Sequence, residues 1–325
     1  MKKIDGAFAM VVCALCWSLA GVFMKYVHVN SFAVAGFRSM FAFVTIMAYA
    51  RHFPRVVLFK DASNAKDDNS ETEITSKPAK KIDGSKKIDG RGTLYLWLGA
   101  LSYAATMVMF CAANKLTYSA NAVLLQYTFP IWIIAFGPLI LHEKNTKIDY
   151  LAIAGVCIGM FLFFAENIFA TPDTKFADTK VAGNIIAFIS GITFAVSTIF
   201  QRKQSLYNPE ANTSFDSFML AQLITAIAGL PFIFTTPDGI PDAQSLVFLV
   251  LLGCLQMGAA NITYSIGIKK VNALSASLIT MIEPLMNPIW VLIFVHEIPG
   301  VMCICGGLLI IASVIFREVF IKKLA

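Results

Sequence analysis

Two ionisable side chains lie deep inside long apolar runs of the sequence, where a charge is costly. Arg38 lies about six residues from the start of the run 32–50, or roughly 9 Å at 1.5 Å per residue. Glu283 lies about ten residues from the start of the run 273–295, or roughly 15 Å. Charged groups at such depth normally face a cavity or a partner. The two residues therefore indicate either a structural ion pair or the walls of one polar cavity that contacts a ligand or a proton.

Further polar and aromatic side chains fall near the middle of the apolar runs. Trp and Tyr suit apolar or aromatic ligands, and Gln and Asn suit neutral hydrogen bonding, so as a set they predict a cavity more polar than lipid would tolerate. For any one of them, helix–helix hydrogen bonding or interfacial anchoring is the alternative role. The candidates are Trp17, Tyr103, Gln126, Tyr127, Gln222, Asn261, Tyr264 and Trp290.

The elements that hold these residues are predicted to be membrane-spanning helices. Apolar residues make up 57% of the chain, charged residues 14%, and the mean hydropathy is +0.70, whereas soluble proteins carry about 45–50% apolar and about 25% charged residues. Runs near 20 residues cross the hydrocarbon as helices, since barrel strands have about 10 residues and alternate. The sequence therefore predicts an all-α integral membrane fold with ten spans: 7–24, 32–50, 94–113, 120–141, 150–165, 181–200, 215–234, 246–268, 273–295 and 299–316.

The positive charge indicates the orientation of these spans. Placing both termini in the cytoplasm puts 21 of the 26 Lys and Arg residues in cytoplasmic segments and four in outer segments, which is a strong positive-inside bias. The net charge of +6 lies in short connections rather than on a folded basic face, so no nucleic-acid partner is predicted. The polar segment 61–93 is predicted to be a disordered cytoplasmic loop. A multi-pass protein of the cell's cytoplasmic membrane is expected.

The second half of the chain repeats the first. An offset of 154 residues aligns Pro130 with Pro284 and the pair His142-Glu143 with His296-Glu297. Each half has five predicted spans, so the second must cross the membrane in the opposite sense, which is the inverted repeat of secondary transporters. The predicted halves are residues 1–170 and 178–325.

The repeat sharpens the roles of particular residues. Glu283 aligns with Phe129, and because a residue needed for symmetry alone would recur, its charge is predicted to serve a site. Pro130 and Pro284 break backbone hydrogen bonds, which suits a hinge or a simple packing kink.

The two His-Glu pairs lie at helix ends on opposite faces of the membrane. His142, Glu143, His296 and Glu297 are candidates for gating contacts, with solvated helix ends as the alternative. No metal site is predicted there, because no third ligand lies near in sequence.

The order of these features resembles the drug/metabolite transporter superfamily, in its EamA type. The resemblance rests on Trp17-Ser18 with Lys25 at the end of the first span, on Phe37-Arg38 in the second, and on Glu283-Pro284 in the ninth. In the fourth and ninth spans a proline also precedes a terminal Glu by thirteen residues. The resemblance implies a ten-helix carrier of small molecules and covers nearly the whole chain. That family includes exporters of amino acids and other metabolites and relatives that exchange nucleotide sugars.

These observations favour a secondary transporter that exports small metabolites, such as amino acids, by alternating access around a central cavity. Its partners would be the bilayer, a small-molecule substrate and a coupling proton. No phosphate loop occurs, so ATP-driven transport by this chain alone is not expected, and no cofactor is predicted. One alternative is an antiporter of nucleotide sugars or phosphorylated compounds, which would require more basic groups in the cavity. Another, from a different class, is an intramembrane lipid-modifying enzyme, although no enzymatic activity is predicted.

Overall fold

The computed structural model describes residues 5–55, 90–169, 178–207, 213–235, 240–295 and 300–324. Regular structure in these residues consists of helices, numbered by span. They are α1 (Gly6–Tyr26), α2 (Ser31–Ala50), α3 (Gly90–Leu116), α4 (Ser119–Leu141), α5 (Lys147–Phe169), α6 (Lys180–Tyr207), α7 (Thr213–Phe234), α8 (Ala243–Gly267), α9 (273–295) and α10 (Val301–Leu324). Within the described residues nine are long and apolar enough to cross a membrane, and α9 adds the shorter apolar stretch Ala273–Met286. The predicted ten-helix, all-α membrane fold is confirmed.

Some predicted boundaries were wrong. Helix α6 continues to Tyr207 and α10 to Leu324, because polar side chains at their ends find buried partners that a hydropathy pattern does not reveal. The last residues of the predicted loop 61–93 also differ, since 90–93 form the first turn of α3. Residues 61–89 lie outside the described part of the chain.

The two halves run in opposite directions. Gly6, at the start of α1, packs against Gly267 and Lys270 after α8, whereas Gly183, at the start of α6, packs against Leu116 and Thr117 after α3. We call the end of the bundle around Gly6 the closed end. The end around Gly183 is called the open end, after the cavity that reaches it.

Several helices are interrupted near the middle of the bundle. Helix α4 breaks at Tyr127 and Thr128, and α9 breaks at Met281. Each break lies just before a proline, Pro130 or Pro284, whose missing N–H suits the first turn of the following segment. Helix α1 also breaks, after Gly6–Ser18.

Helix α8 contains a π-helical segment, Leu252–Ala259. Such wide turns are frequent at functional sites. Gly253 and Gly258 let this segment approach α2 closely, because a Cβ at either would meet α2 atoms. The π-turns therefore sit against the helix that carries Arg38.

Small residues and apolar surface complete the packing. Gly36 of α2 lies against the backbone of Gly229 in α7, and Gly306 of α10 lies against Gly159 and Phe163 of α5, as is common where membrane helices cross closely. Large apolar side chains cover the outside of the bundle, including Leu139 at 74% exposure. This surface suits contact with lipid.

Candidate functional site

A cavity lies among α1, α2, α3, α4 and α9 and extends to the open end. Its volume is about 390 Å³, and a second cavity of about 100 Å³ adjoins it on the side of the closed end. Met24, Ser31, Asn114 and Ser119, at or near helix termini of the open end, line the larger one. The residues that line both are Ala20, Arg38, Phe110, Gln126, Tyr127 and Glu283.

Arg38 presents a cation to this cavity. A terminal nitrogen of its guanidinium lies 3.8 Å from the sulfur of Met107. Its buried Nε has no hydrogen-bond partner among the described residues, and no salt bridge joins Arg38 to Glu283 there. A buried cation without a carboxylate partner is costly, and the cavity offers the space where an anionic group would satisfy it.

Glu283 presents the opposing carboxyl group. It lies in the first turn after the break in α9, and it lines both cavities together with Tyr127. Tyr127 itself lies at the break in α4. The two helix breaks thus position a carboxyl group and a phenol hydroxyl in the same cavity wall.

The floor of the cavity is aromatic. Trp17, Tyr103, Phe129 and Phe194 all line the smaller cavity. Ring centroids of Phe194 lie 4.7 Å from Phe129, 6.0 Å from Trp17 and 6.3 Å from Tyr103. These tilted ring contacts separate the cavity from the closed half of the bundle.

Two amides belong to the same region. Gln126 is buried and lines both cavities. Gln256, in the π-helical segment, lines the smaller one and donates to the carbonyl oxygen of Trp17 at 3.4 Å. The sequence places Gln256 among the polar residues near mid-helix, but its direction depends on the wide π-turn.

Asn261 and Tyr264 lie below the floor instead. Asn261 accepts a hydrogen bond from the hydroxyl of Tyr103 at 3.1 Å, and Tyr264 donates to Thr198 at 3.1 Å. Both residues are buried, so they are part of the closed half of the bundle and not of the cavity wall.

Of the residues predicted to form the site or its hinges, Gln222, Trp290 and Pro130 lie away from the two cavities. Gln222 is fully buried in α7, and neither of its polar atoms has a partner in the described residues. Trp290 donates from Nε1 to Ser18 at 2.8 Å and joins α9 to α1. Pro284 lines the larger cavity, whereas Pro130 lines a separate apolar cavity of about 250 Å³ beside α5.

The candidate gating residues behave differently from one another. Glu143 pairs with Arg202 at 3.0 Å and accepts from the backbone N–H of Ala273 at 3.1 Å. His142 is exposed and ends α4 in a left-handed conformation with φ of 58°. His296 and Glu297 lie outside the described residues. The structure thus brings only Glu143 of this set into a cross-helix contact among the residues it describes.

Sequence inspection did not predict the hydrogen bonds and ion pairs that join the helices at the closed end. Arg202 also donates to the carbonyl oxygens of Ile268 and Lys269, at 2.9 and 3.0 Å. Burial, together with the charge of Arg55, lowers the pKa of Lys269. The Arg202-Lys203 pair at the end of an apolar run was the available signal, but it was interpreted only as evidence of orientation.

A second buried network joins α5, α9 and α10. The guanidinium of Arg317 donates to Asp149 at 2.7 Å and to Ser275 and Glu318 at 2.6 Å. The side chains of Arg317 and Asp149 are 1% and 4% exposed. No group of three metal-binding side chains occurs in the part of the chain that the structure describes.

The chain is similar to known proteins along most of its length. The model of the EamA-like transporter family matches residues 4–165 and 181–317. A relative from Clostridium kluyveri, described as an uncharacterized transporter, is 25% identical over 242 residues, which are 73% of this chain and 76% of that protein. A crystal structure of another protein superposes with a TM-score of 0.72 over 98% of both chains at 16% identity, which is a likeness of fold.

Proposed function

The chain belongs to the EamA-like transporter family, and from that premise we propose that it is a secondary active carrier that exports neutral amino acids or related zwitterions. The observation that carries this proposal is the placement of Arg38 and Glu283 in one cavity without an ion pair between them. A cation and a carboxylate held apart are complementary to the carboxylate and the ammonium of a zwitterion.

The rest of the cavity supports the same substrate class. Phe110 lines both cavities, and Met107 and Trp17 line the smaller one, so an apolar side chain would find apolar neighbours. The larger volume, about 390 Å³, falls in the range of about 300–1,000 Å³ typical of small-molecule sites. Nucleotide sugars and phosphorylated compounds need several cations, and Arg38 is the single Lys or Arg among the described residues lining the two cavities.

Glu283 is the proposed site of proton coupling. Intramembrane carboxyl groups commonly carry protons in transporters. When the substrate's ammonium group leaves, Glu283 would bind a proton in its place, with the Tyr127 hydroxyl in the same cavity wall. Export of a zwitterion would then be exchanged for entry of a proton.

The two ends of the bundle are the proposed gates. With both termini cytoplasmic, the closed end faces the cytoplasm and the structure is open to the outside. The Glu143–Arg202 pair would separate in the alternate state. The breaks before Pro130 and Pro284 would serve as hinges between halves 1–170 and 178–325. This arrangement belongs in the cytoplasmic membrane of the cell.

Flux in proteoliposomes tests the proposal. Labelled neutral amino acids would be assayed with and without a pH gradient, comparing the wild type with Glu283→Gln and Arg38→Ala. Matched controls are Asp178→Asn and Arg91→Ala, which remove the same charges from exposed positions. We expect saturable flux that both cavity variants abolish and both controls retain. Flux that persists in Glu283→Gln and still follows the pH gradient would contradict the proposed coupling.

A further inference from the structure

Below the cavity, α6 and the end of α8 are joined by the hydrogen bond from Tyr264 to Thr198 and by Arg202, which donates to the carbonyl oxygens of Ile268 and Lys269. Positions on α6 recur every four residues, and those on α8 recur every three or four, so each set lies on one helix face. We call this contact the α6–α8 seam. Its contacting residues are Thr198 and Arg202 on α6 and Tyr264 and Ile268 at the end of α8, with Phe194 and Asn261 one turn above them.

The upper part of the seam is closed by aromatic rings. Tyr264 lies 5.7 Å from Trp17 between ring centroids, and Trp17 lies 6.0 Å from Phe194. Trp17 and Phe194 form part of the cavity floor, whereas Tyr264 lies beneath that floor. Ring contacts of this kind contribute a modest free energy that depends on ring orientation. Rotation of the Trp17 and Phe194 side chains would therefore connect the cavity with the seam.

The middle of the seam is polar although it is buried. The Tyr264 hydroxyl donates to Thr198 at 3.1 Å, and the Tyr103 hydroxyl donates to Asn261 at 3.1 Å. The Nδ2 of Asn261 is buried and has no partner among the described residues. Buried donors are almost always satisfied. If the seam opened, water or a passing polar compound would satisfy this amide.

The lower part of the seam is closed by Arg202, which bonds to the carbonyl oxygens of Ile268 and Lys269 and to Glu143. The side chains of Arg202 and Glu143 are 13% and 25% exposed, so water reaches the pair. Separating Arg202 from Glu143 does not leave an unpaired charge in lipid, because both side chains become hydrated as the seam opens.

The neighbouring side of α6 is built differently. There Ser197 donates to the carbonyl oxygen of Gly99 in α3 at 3.3 Å, and Gly99 is enclosed by the side chains of Gln204 and Ser217. Ser197 thus bonds to the α3 backbone itself, and polar side chains fill the space beside Gly99, so this contact has no loose side-chain layer to part. Helices α6 and α8 instead meet mainly through the ends of side chains.

We propose that the α6–α8 seam is the closed half of the substrate path, with α6 parting from α8 while it stays attached to α3. The inference rests on the proposed carrier function and assigns a route that the cavity alone does not define. Its central prediction is that adjacent residues on α6, Thr198 and Ser197, differ in access to water during turnover. Both are 1% exposed in this structure.

Thiol accessibility tests this difference. Thr198→Cys and Ser197→Cys would be placed separately in the otherwise native chain, whose seven cysteines give the background, and reconstituted in lipid vesicles. A membrane-impermeant methanethiosulfonate reagent would be applied at the closed end, with flux of labelled amino acids measured in parallel. Both substitutions are small, so folding should be retained. We expect the thiol of Thr198→Cys to react at least about tenfold faster than that of Ser197→Cys.

A second variant makes the test independent of substrate. Adding Glu143→Gln should weaken the closed end and accelerate labelling of Thr198→Cys without any transported compound, while Ser197→Cys stays slow. Such labelling without flux of any amino acid would support the seam and contradict the proposed substrate class. Normal flux with Thr198→Cys protected, or faster labelling of Ser197→Cys, would overturn the seam.

Discussion

The closed end and the open end of the bundle are held together by different interactions. At the closed end, ion pairs join helices: Arg202 with Glu143 at 3.0 Å and Arg317 with Asp149 at 2.7 Å. At the open end, the contacts include neutral hydrogen bonds, such as His28 to Ser245 at 3.1 Å, and the glycine contact between α2 and α7. When an ion pair with access to water separates, water can solvate both charged groups. When close backbone packing at a glycine separates, water does not replace the lost contacts.

The closed end itself contains two kinds of ion pair. Arg317 and Asp149 are almost fully buried, whereas Arg202 and Glu143 keep 13% and 25% of their side-chain surface. Breaking a buried pair leaves an uncompensated charge, whereas a partly exposed pair can hydrate. The comparison therefore predicts that the Arg317–Asp149 pair stays intact during turnover, whereas the Glu143–Arg202 pair breaks and re-forms and is exchangeable in this sense. The glycine contact between α2 and α7 is predicted not to move, and we call it the fixed point.

The largest expected effect is that of Arg317→Ala. Removing the guanidinium would leave the carboxylate of Asp149 buried without its partner, and such changes cost about 3–5 kcal/mol. The free energy of unfolding in detergent would be measured, with Arg91→Ala as the exposed control. The double variant Arg317→Leu/Asp149→Leu should cost less than Arg317→Ala alone, because the buried carboxylate is removed and Glu318 is exposed enough to be hydrated. A loss below about 1 kcal/mol for Arg317→Ala would show that this pair is not structural.

Gly36→Ala tests the fixed point at the open end. A Cβ on Gly36 would meet the backbone of Gly229 and Leu230, and overpacking of this kind typically costs about 1–3 kcal/mol. Thermal unfolding in detergent would measure the loss. The control is Gly137→Ala in α4, where a Cβ meets nothing within 4 Å, and that variant should be neutral or slightly stabilising. Equal melting temperatures for both variants would remove the distinction between the two ends.

The sequence predicted which charged residues lie in the cavity better than it predicted which buried side chains contact each other. Arg38 and Glu283 were identified because a charge inside an apolar run is visible from hydropathy alone, and both line the cavity. Periodicity could not predict that Arg317 meets Asp149 across 168 positions, since that contact depends on how α5 packs against α10.

Other residues show the same limit. Gln222 and Trp290 lie in apolar runs like the cavity residues, but the helix face that each occupies turns them away from the cavity. The helix breaks were easier to anticipate, because Pro130 and Pro284 lack the N–H that a continuous helix needs. What the prolines did not predict is that the two breaks would bring Tyr127 and Glu283 into one cavity wall.

Glu143→Gln tests whether the exchangeable pair holds the closed end. The change removes the charge that pairs with Arg202 while leaving an acceptor for the N–H of Ala273. Because the pair is partly exposed, we expect a cost of about 1 kcal/mol or less. Amide hydrogen exchange in the turn between α8 and α9 should accelerate several-fold. Asp178→Asn, at an exposed position, should leave that turn unchanged. Acceleration throughout the bundle, and not in the turn alone, would instead indicate a general loss of stability.

The smallest effect on stability is expected from replacing Asp242, which lies just before the start of α8 at the open end. Its carboxylate accepts hydrogen bonds from Ser245, which lower the pKa of Asp242. Because the folded-state pKa lies below the unfolded one, the cap stabilises the helix at neutral pH, and that contribution is lost as the pH falls through the folded-state pKa. The melting temperature of Asp242→Ala should therefore lie slightly below wild type at pH 7, and the difference should shrink in acid. Asp242→Asn should retain most of the cap, because Asn caps helices about as well. A difference that grows in acid would show that the carboxylate does not stabilise the open end.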